Sequence, residues 1–174
     1  MRKKREADVN IIDDRTTLSD ALVIFGVTGD LAHKMIFPAL YAMAKHGTLN
    51  VPVVGIAASK WSLTQLRNQV EESIRKSAKI DDQSALSHLL SLLQYVSGDY
   101  NDPNTFKALK QVLNGARCPA HYLAIPPALF ATVIKRLGAA GLANQARIIV
   151  EKPFGRDLAS ARELNRTALT MFPA

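Results

Sequence analysis

Three short stretches carry residue types that can do chemistry together. The first is Ala21 to Lys34, ALVIFGVTGDLAHK, where an apolar run breaks at Gly26-Val27-Thr28-Gly29 and resumes with helical spacing. A strand, a glycine turn and a helix start make a corner whose backbone N–H groups suit an anion, above all a phosphate. Gly26 can end the strand in a conformation closed to other residues, and Gly29 has no Cβ to hold a pyrophosphate off the backbone. Ala32 is small enough to let the helix lie close to the strand. The spacing is G-x-x-G-x-x-A, which differs from the G-x-G-x-x-G of the commonest dinucleotide fingerprint. Asp30 also reads as an ordinary helix cap.

The second stretch is Ala58-Ser59-Lys60, directly after the apolar run Val51 to Ala57. In dinucleotide-binding folds an acidic residue at this place binds a ribose 2′-hydroxyl and repels a 2′-phosphate. No Asp or Glu occurs between Val51 and Arg67. Ser59 offers a hydroxyl and Lys60 a positive charge, a pair suited to the 2′-phosphate of NADP; a solvated lysine at a helix start is the plainer reading. The third stretch is Glu151-Lys152-Pro153, after the apolar Arg147 to Val150. It places a lysine at a strand end, where it can hydrogen-bond a substrate hydroxyl, and a proline that can take a cis bond. Taken alone, such a triplet is more often a turn.

These stretches need a scaffold that brings strand ends together, and the chain reads as one. After a polar leader, residues 1–18, the domain is expected from Ser19 to Ala174. The glycine turn leads into a helix with Ala32, Ile36, Ala39, Leu40 and Met43 on one face, which Pro38 bends or restarts and His46-Gly47 closes. A second strand ends at Ala57. Helices follow from Trp61 to Ala78, capped by Ser62, and from Asp81 to Leu93, capped by Asp81 or Asp82. A weak strand runs from Gln94 to Tyr100. Asp102-Pro103 opens a helix buried through Phe106, Leu109 and Val112 or Leu113. Ala120 to Ile125 is a strand, with His121 at its amino end, stopped by Pro126-Pro127. Another helix carries Leu129, Val133, Ile134 and Leu137. Arg147 to Val150 reads as a buried strand, and Asp157 caps a last helix with Leu158, Ala161 and Leu164. The order β-α-β-α-α-β-α-β-α-β-α predicts an α/β fold, a doubly wound, Rossmann-type open parallel sheet with helices on both faces. Its ligand would lie beyond the carboxyl ends of the strands.

The 174 residues fit one domain, with 48% hydrophobic and 21% charged residues, as in ordinary globular proteins. Cys118 is the only cysteine, which excludes a disulfide framework and a multi-cysteine metal site and fits the reducing cytoplasm. The net charge of +7 includes Arg2, Lys3, Lys4 and Arg5 of the leader. No stacking aromatics or second basic run accompany them, so nucleic acid is not an expected partner. The leader lacks the apolar segment of a secretory signal, and no run is long enough for a membrane span.

FGVTGDLAHKMIFPALY, YLAIPPALF and IIVEKPFGRDLASARELN resemble, in order and approximate spacing, segments of glucose-6-phosphate 1-dehydrogenases. The likeness runs from about Leu22 to Asn165. It implies that Gly26, Thr28, Gly29, Asp30 and Leu31 hold the cofactor pyrophosphate and that Ser59 and Lys60 flank the 2′-phosphate. It also implies that Asp99-Tyr100 and Pro126-Pro127 border the adenosine and nicotinamide regions. Glu151 and Pro153 would line the cofactor, and Lys152 would contact both the nicotinamide side and the sugar, glucose 6-phosphate. No metal is implied.

The chain departs from the family pattern in four ways. Ala58 stands where the family usually has arginine, which lowers the preference for NADP and leaves NAD possible. His33-Lys34-Met35 lacks the last of a usual basic run, and Phe130 stands where tyrosine is frequent. The family's general-base histidine, in RIDHYLGKE, and its antiparallel substrate domain are expected beyond Ala174. None of His33, His46, His88 and His121 replaces that base by position. The expected function is therefore that of a coenzyme domain, inactive by itself. Two other readings stand beside it: a non-catalytic nucleotide-binding or interaction module, and a short-chain dehydrogenase or epimerase. The second rests on Tyr41-x-x-x-Lys45, which lies on the wrong helix for that chemistry.

Overall fold

The computed structural model describes residues 18–77, 79–152 and 157–172. The leader, apart from Leu18, and Pro153 lie outside them. Five strands, β1 (Ala21–Phe25), β2 (Val53–Ala57), β3 (Leu93–Ser97), β4 (Pro119–Leu123) and β5 (Arg147–Val150), form one sheet in the order β3-β2-β1-β4-β5. All four pairings are parallel. The six α-helices are α1 (Phe37–Lys45), α2 (Leu63–Ser77), α3 (Gln83–Leu92), α4 (Pro103–Leu113), α5 (Phe130–Ala139) and α6 (Leu158–Met171). This is the doubly wound arrangement that the sequence predicts.

Strand alternation separates two cores. Val23, Phe25 and Leu123 pack with α4, α5 and α6 on one face. Ile24, Val53 and Leu93 pack with α1, α2 and α3 on the other. The helix boundaries follow from local chemistry. Ser62 and Gln65 cap α2 reciprocally, side chain to backbone in both directions. Asp82 caps α3 through Ala85 N–H at 2.9 Å, and Asp102 caps α4 through Asn104 N–H at 2.9 Å, with Pro103 at the first helical position. Asp157 and Ser160 form a capping box at α6.

Five details differ from the sequence reading. The helix after the glycine turn begins with a π-helical segment, Ala32–Ile36, before α1. An i→i+5 turn uses about one residue more than an α turn, so the buried face rotates. Phe37, Tyr41 and Ala44 take the inward positions expected of Ala39 and Met43, which are exposed. Leu93 begins β3 instead of ending α3. His121 sits in the middle of β4. On α6, Leu164 is buried while Leu158 is 66% exposed. Finally, β5 is not buried: it is an edge strand whose Ile149 is 40% exposed, because α5 and α6 cover only the face of Ile148 and Val150. Apolar sequence in a parallel sheet signals burial on both faces only for inner strands.

Candidate functional site

Since every strand is parallel, all the loops after strands gather at one edge of the sheet. The order of strands reverses between β1 and β4, which puts the glycine turn after β1 at the switch point. Gly26 has φ +78°, and a Cβ there would lie 2.2 Å from the carbonyl oxygen of Ala124. No side chain fits, because the end of β4 presses against the turn, with Ala124 N–H donating to Phe25 O at 2.9 Å.

The turn is strutted from below. Gly26 N–H donates both to Ile56 O at 2.9 Å and to the Tyr100 hydroxyl at 2.8 Å, and that hydroxyl donates on to Ile56 O at 3.2 Å. Tyr100 packs edge-on against Phe25, with ring centroids 5.8 Å apart. Burial pushes its pKa up to about 12, so the phenol keeps the proton it donates.

Above the strut, Gly29 N–H closes on Gly26 O at 2.9 Å, and His33 N–H makes the first helical bond, to Gly29 O at 3.2 Å. Asp30, Leu31 and Ala32 therefore carry the N–H groups that a helix start offers to an anion. A Cβ at Gly29 would meet only Gly26 O, at 3.2 Å, so the space on that side of this glycine is otherwise open. Asp30, read as a cap, instead turns its exposed carboxylate to Lys34 at 2.9 Å; that ammonium holds it below the usual carboxylate range.

The loop after β2 lies next to this corner. The Thr28 and Ser59 hydroxyls are 3.1 Å apart and hydrogen-bonded. Ser59 O accepts from the Tyr95 hydroxyl, from Ser97 Oγ at 3.0 Å and from Trp61 N–H at 2.9 Å, which fixes the loop to β3. Ala58 and Lys60 are exposed. His33 stacks on Trp61 with ring centroids 6.5 Å apart, joining the two loops a second time. Burial lowers the His33 pKa, while Asp30 and Glu72 pull it back up.

At the remaining strand ends, Asp99 is exposed and its carboxylate accepts from Asn101 N–H at 2.8 Å and Asn101 Nδ2 at 3.0 Å. Pro126 is exposed and leads into a 3₁₀ turn, Pro127–Leu129. The Tyr122 hydroxyl donates to the Glu151 carboxylate. Burial, and then that carboxylate, push the Tyr122 pKa up to about 12. Lys152 is exposed beside it.

The structure thus brings Gly26, Thr28, Gly29, Asp30, Leu31, Ser59 and Lys60 into one corner. Asp99 and Pro126 flank it from neighbouring strand ends, Tyr100 lies beneath it, and Glu151 with Lys152 ends β5. Sequence reasoning missed Tyr95 and Tyr122, whose hydroxyls tie down Ser59 and Glu151. Each stands on a strand, and only the pairing register reveals what its hydroxyl reaches.

The histidines and the Tyr-x-x-x-Lys pair have other tasks. His121 is fully buried, its Nε2 2.8 Å from Leu142 O, and burial pulls its pKa down to about 4. His88 bonds to Leu49 O at 2.8 Å, and His46 ends α1. Tyr41 donates to Asp81 at 3.0 Å and Lys45 pairs with the same carboxylate at 2.6 Å, which pins α1 to the start of α3. The side chains of His121, His88, Tyr41 and Lys45 are thus held in structural contacts. Among the described residues, no three His, Cys, Asp or Glu side chains gather in a way that could hold a metal ion, and no helix is long and apolar enough to cross a membrane.

A parallel sheet wound in this order, with a glycine turn and a helix start at its switch point, defines a Rossmann-type dinucleotide-binding fold. The model of the family described as "Glucose-6-phosphate dehydrogenase, NAD binding domain" matches residues 23–174, and the chain belongs to that family. Glucose-6-phosphate 1-dehydrogenase 1 of Mycobacterium tuberculosis is 44% identical over 155 residues, covering 89% of this chain and 33% of that protein. The Saccharomyces cerevisiae glucose-6-phosphate 1-dehydrogenase is 35% identical over 162 residues, covering 86% and 32%. The crystal structure of the Mycobacterium avium glucose-6-phosphate 1-dehydrogenase superposes with a TM-score of 0.84 at 42% identity, over 88% of this chain and 34% of that one. A glucose-6-phosphate dehydrogenase in complex with its substrate glucose-6-phosphate gives 0.80 at 32% identity, over 90% and 36%. The chain spans about a third of the length of the relatives it matches.

Proposed function

We propose that this chain is the cofactor-binding part of an NADP-dependent glucose-6-phosphate dehydrogenase. The observation that carries the reading is the Thr28–Ser59 hydroxyl bond, which joins the phosphate-binding corner to a loop bearing Lys60 and no carboxylate. NADP carries a pyrophosphate and a 2′-phosphate, and the chain offers one cradle for each. The N–H groups of Asp30 to Ala32 and the open side of Gly29 suit the pyrophosphate. Ser59 and Lys60 suit the 2′-phosphate, with a point charge where arginine would give a bidentate clamp. Asp99 and Pro126 border the adenosine and nicotinamide sides, with Tyr100 as the strut beneath. The nicotinamide supplies a hydride acceptor.

For the sugar, Lys152 is the substrate-binding residue of this chain. Its ammonium donates to the hydroxyl that is oxidised and orients it, but as a cation it takes no proton from it. Hydride loss from an alcohol requires a base for the hydroxyl proton, and none of the four histidines here occupies that role. The result this reading predicts, with glucose 6-phosphate and NADP supplied to the chain, is no NADPH above background. Glu151 lines the cofactor on that side. The reading places the protein in the reducing cytoplasm, which suits the free Cys118.

Calorimetric titration with NADP and with NAD tests the proposal. The expected result is one site with tighter binding of NADP, and a Lys60→Ala variant that loses affinity for NADP while keeping that for NAD. Equal affinities, or tighter NAD, would overturn the cofactor assignment.

A further inference from the structure

A second basic cluster forms only in the folded chain, on the opposite helical layer from the glycine corner. Lys107 and Lys110 of α4 and Arg136 of α5 line a cavity of about 270 Å³, with Pro103, Phe106, Ala139 and Ala140 as its apolar part. Among the described residues, no acidic side chain lines this cavity. Each cation is steadied by one neutral acceptor: Lys110 Nζ by Ala140 O at 3.1 Å, Arg136 Nη2 by Asn101 O at 2.7 Å, and Lys107 Nζ by Asn104 Oδ1 at 3.4 Å. The nearby carboxylates are turned to the backbone, Asp99 to Asn101 N–H and Asp102 to Asn104 N–H.

We propose that this groove binds a small molecule carrying a phosphate group. A lysine has three N–H donors and an arginine five, so each cation keeps donors free after its one bond. Three positive charges around one cavity repel one another, and a multiply charged anion relieves that repulsion. The bonds to Ala140, Asn101 and Asn104 hold the donors in place before a ligand arrives, which reduces the ordering cost of binding. The cavity is slightly smaller than the usual range of small-ligand pockets, which suits a compact ligand and is too small for a folded partner. Its apolar lining accommodates the body of a phosphorylated metabolite, while free phosphate or pyrophosphate would use the charges alone.

The test is an amide-resolved NMR titration of the full chain with inorganic pyrophosphate at constant ionic strength. The expected result is saturable shifts at Lys107 to Lys110 and Arg136 to Gly141. Lys110→Gln and Arg136→Gln each weaken this binding at least about tenfold, as expected for loss of a charge-assisted bond. Lys135→Gln, on α5 but outside the groove, leaves it unchanged. Sugar phosphates and nucleotides binding more tightly than pyrophosphate would identify an organic phosphate as the ligand; the reverse order would identify an inorganic one. The proposal is overturned if the shifts rise linearly without saturating, or if Lys110→Gln and Lys135→Gln titrate alike. It is also overturned if a short single-stranded oligonucleotide outcompetes every small phosphate.

Discussion

Gly26 and Gly29 are three residues apart in the same turn, and the structure separates their roles. A Cβ at position 26 would lie 2.2 Å from Ala124 O and 2.9 Å from its carbonyl carbon, both backbone atoms, at φ +78°. The left-handed conformation alone costs a non-glycine residue about 1–2 kcal/mol. Displacing the end of β4 raises the total for Gly26→Ala to about 3 kcal/mol or more, a large share of a domain's stability. At position 29 the Cβ meets one atom, Gly26 O at 3.2 Å, which must give by a few tenths of an ångström. Gly29→Ala therefore costs the fold about 1 kcal/mol or less, while its methyl group occupies the space proposed for the pyrophosphate. Urea unfolding and NADP titration of both variants measure the two effects separately. Gly26→Ala loses stability and binding together; Gly29→Ala keeps its unfolding midpoint within about 1 kcal/mol of the parent and loses at least about tenfold in NADP affinity. A well-folded Gly29→Ala that binds NADP like the parent would refute the placement of the phosphates.

Three further outcomes follow from the same contacts. Tyr100→Phe removes the buried hydroxyl beneath Gly26 but leaves Gly26 N–H its bond to Ile56 O, so it costs about 1–2 kcal/mol in urea unfolding and lowers Tm by about 2–8 °C. His121 is buried neutral: the folded pKa of about 4 lies below the ordinary 6.5, so its contribution is complete above pH 6.5 and is lost as pH falls toward 4. The loss amounts to about 3 kcal/mol, with the burial of His33 adding in the same direction, and unfolding titrations across that window measure it. Tyr41→Phe removes the hydrogen bond to Asp81, lowers stability by about 1 kcal/mol and leaves NADP affinity unchanged, whereas a weakened cofactor titration would revive a catalytic role for the Tyr-x-x-x-Lys pair.

The fold was legible because each strand and helix announces itself locally. Apolar β-branched runs give the strands, and Ser62, Asp102-Pro103 and Asp157 mark helix starts within a residue or two. The glycine corner was legible for the same reason, as a strand–turn–helix in continuous sequence. What the sequence concealed depends on contacts between distant residues. The π turn at Ala32–Ile36 rotates α1 through backbone hydrogen bonding that no residue pattern encodes, moving Ala39 and Met43 outward. Ile149 is as apolar as a core residue, and only the position of β5 at the sheet edge leaves it exposed. The hydroxyl bond between Thr28 and Ser59 and the strut from Tyr100 span 31 and 74 residues, and Lys107, Lys110 and Arg136 meet only once α4 and α5 pack side by side.

The most direct measurement is a crystal structure of this chain grown with NADP. The account predicts the pyrophosphate within hydrogen-bond reach of the backbone N–H groups of Asp30 to Ala32 and the 2′-phosphate against Ser59 and Lys60. A cofactor bound with its 2′-phosphate turned away from Lys60, or seated at the α4–α5 groove in place of the glycine corner, would contradict it.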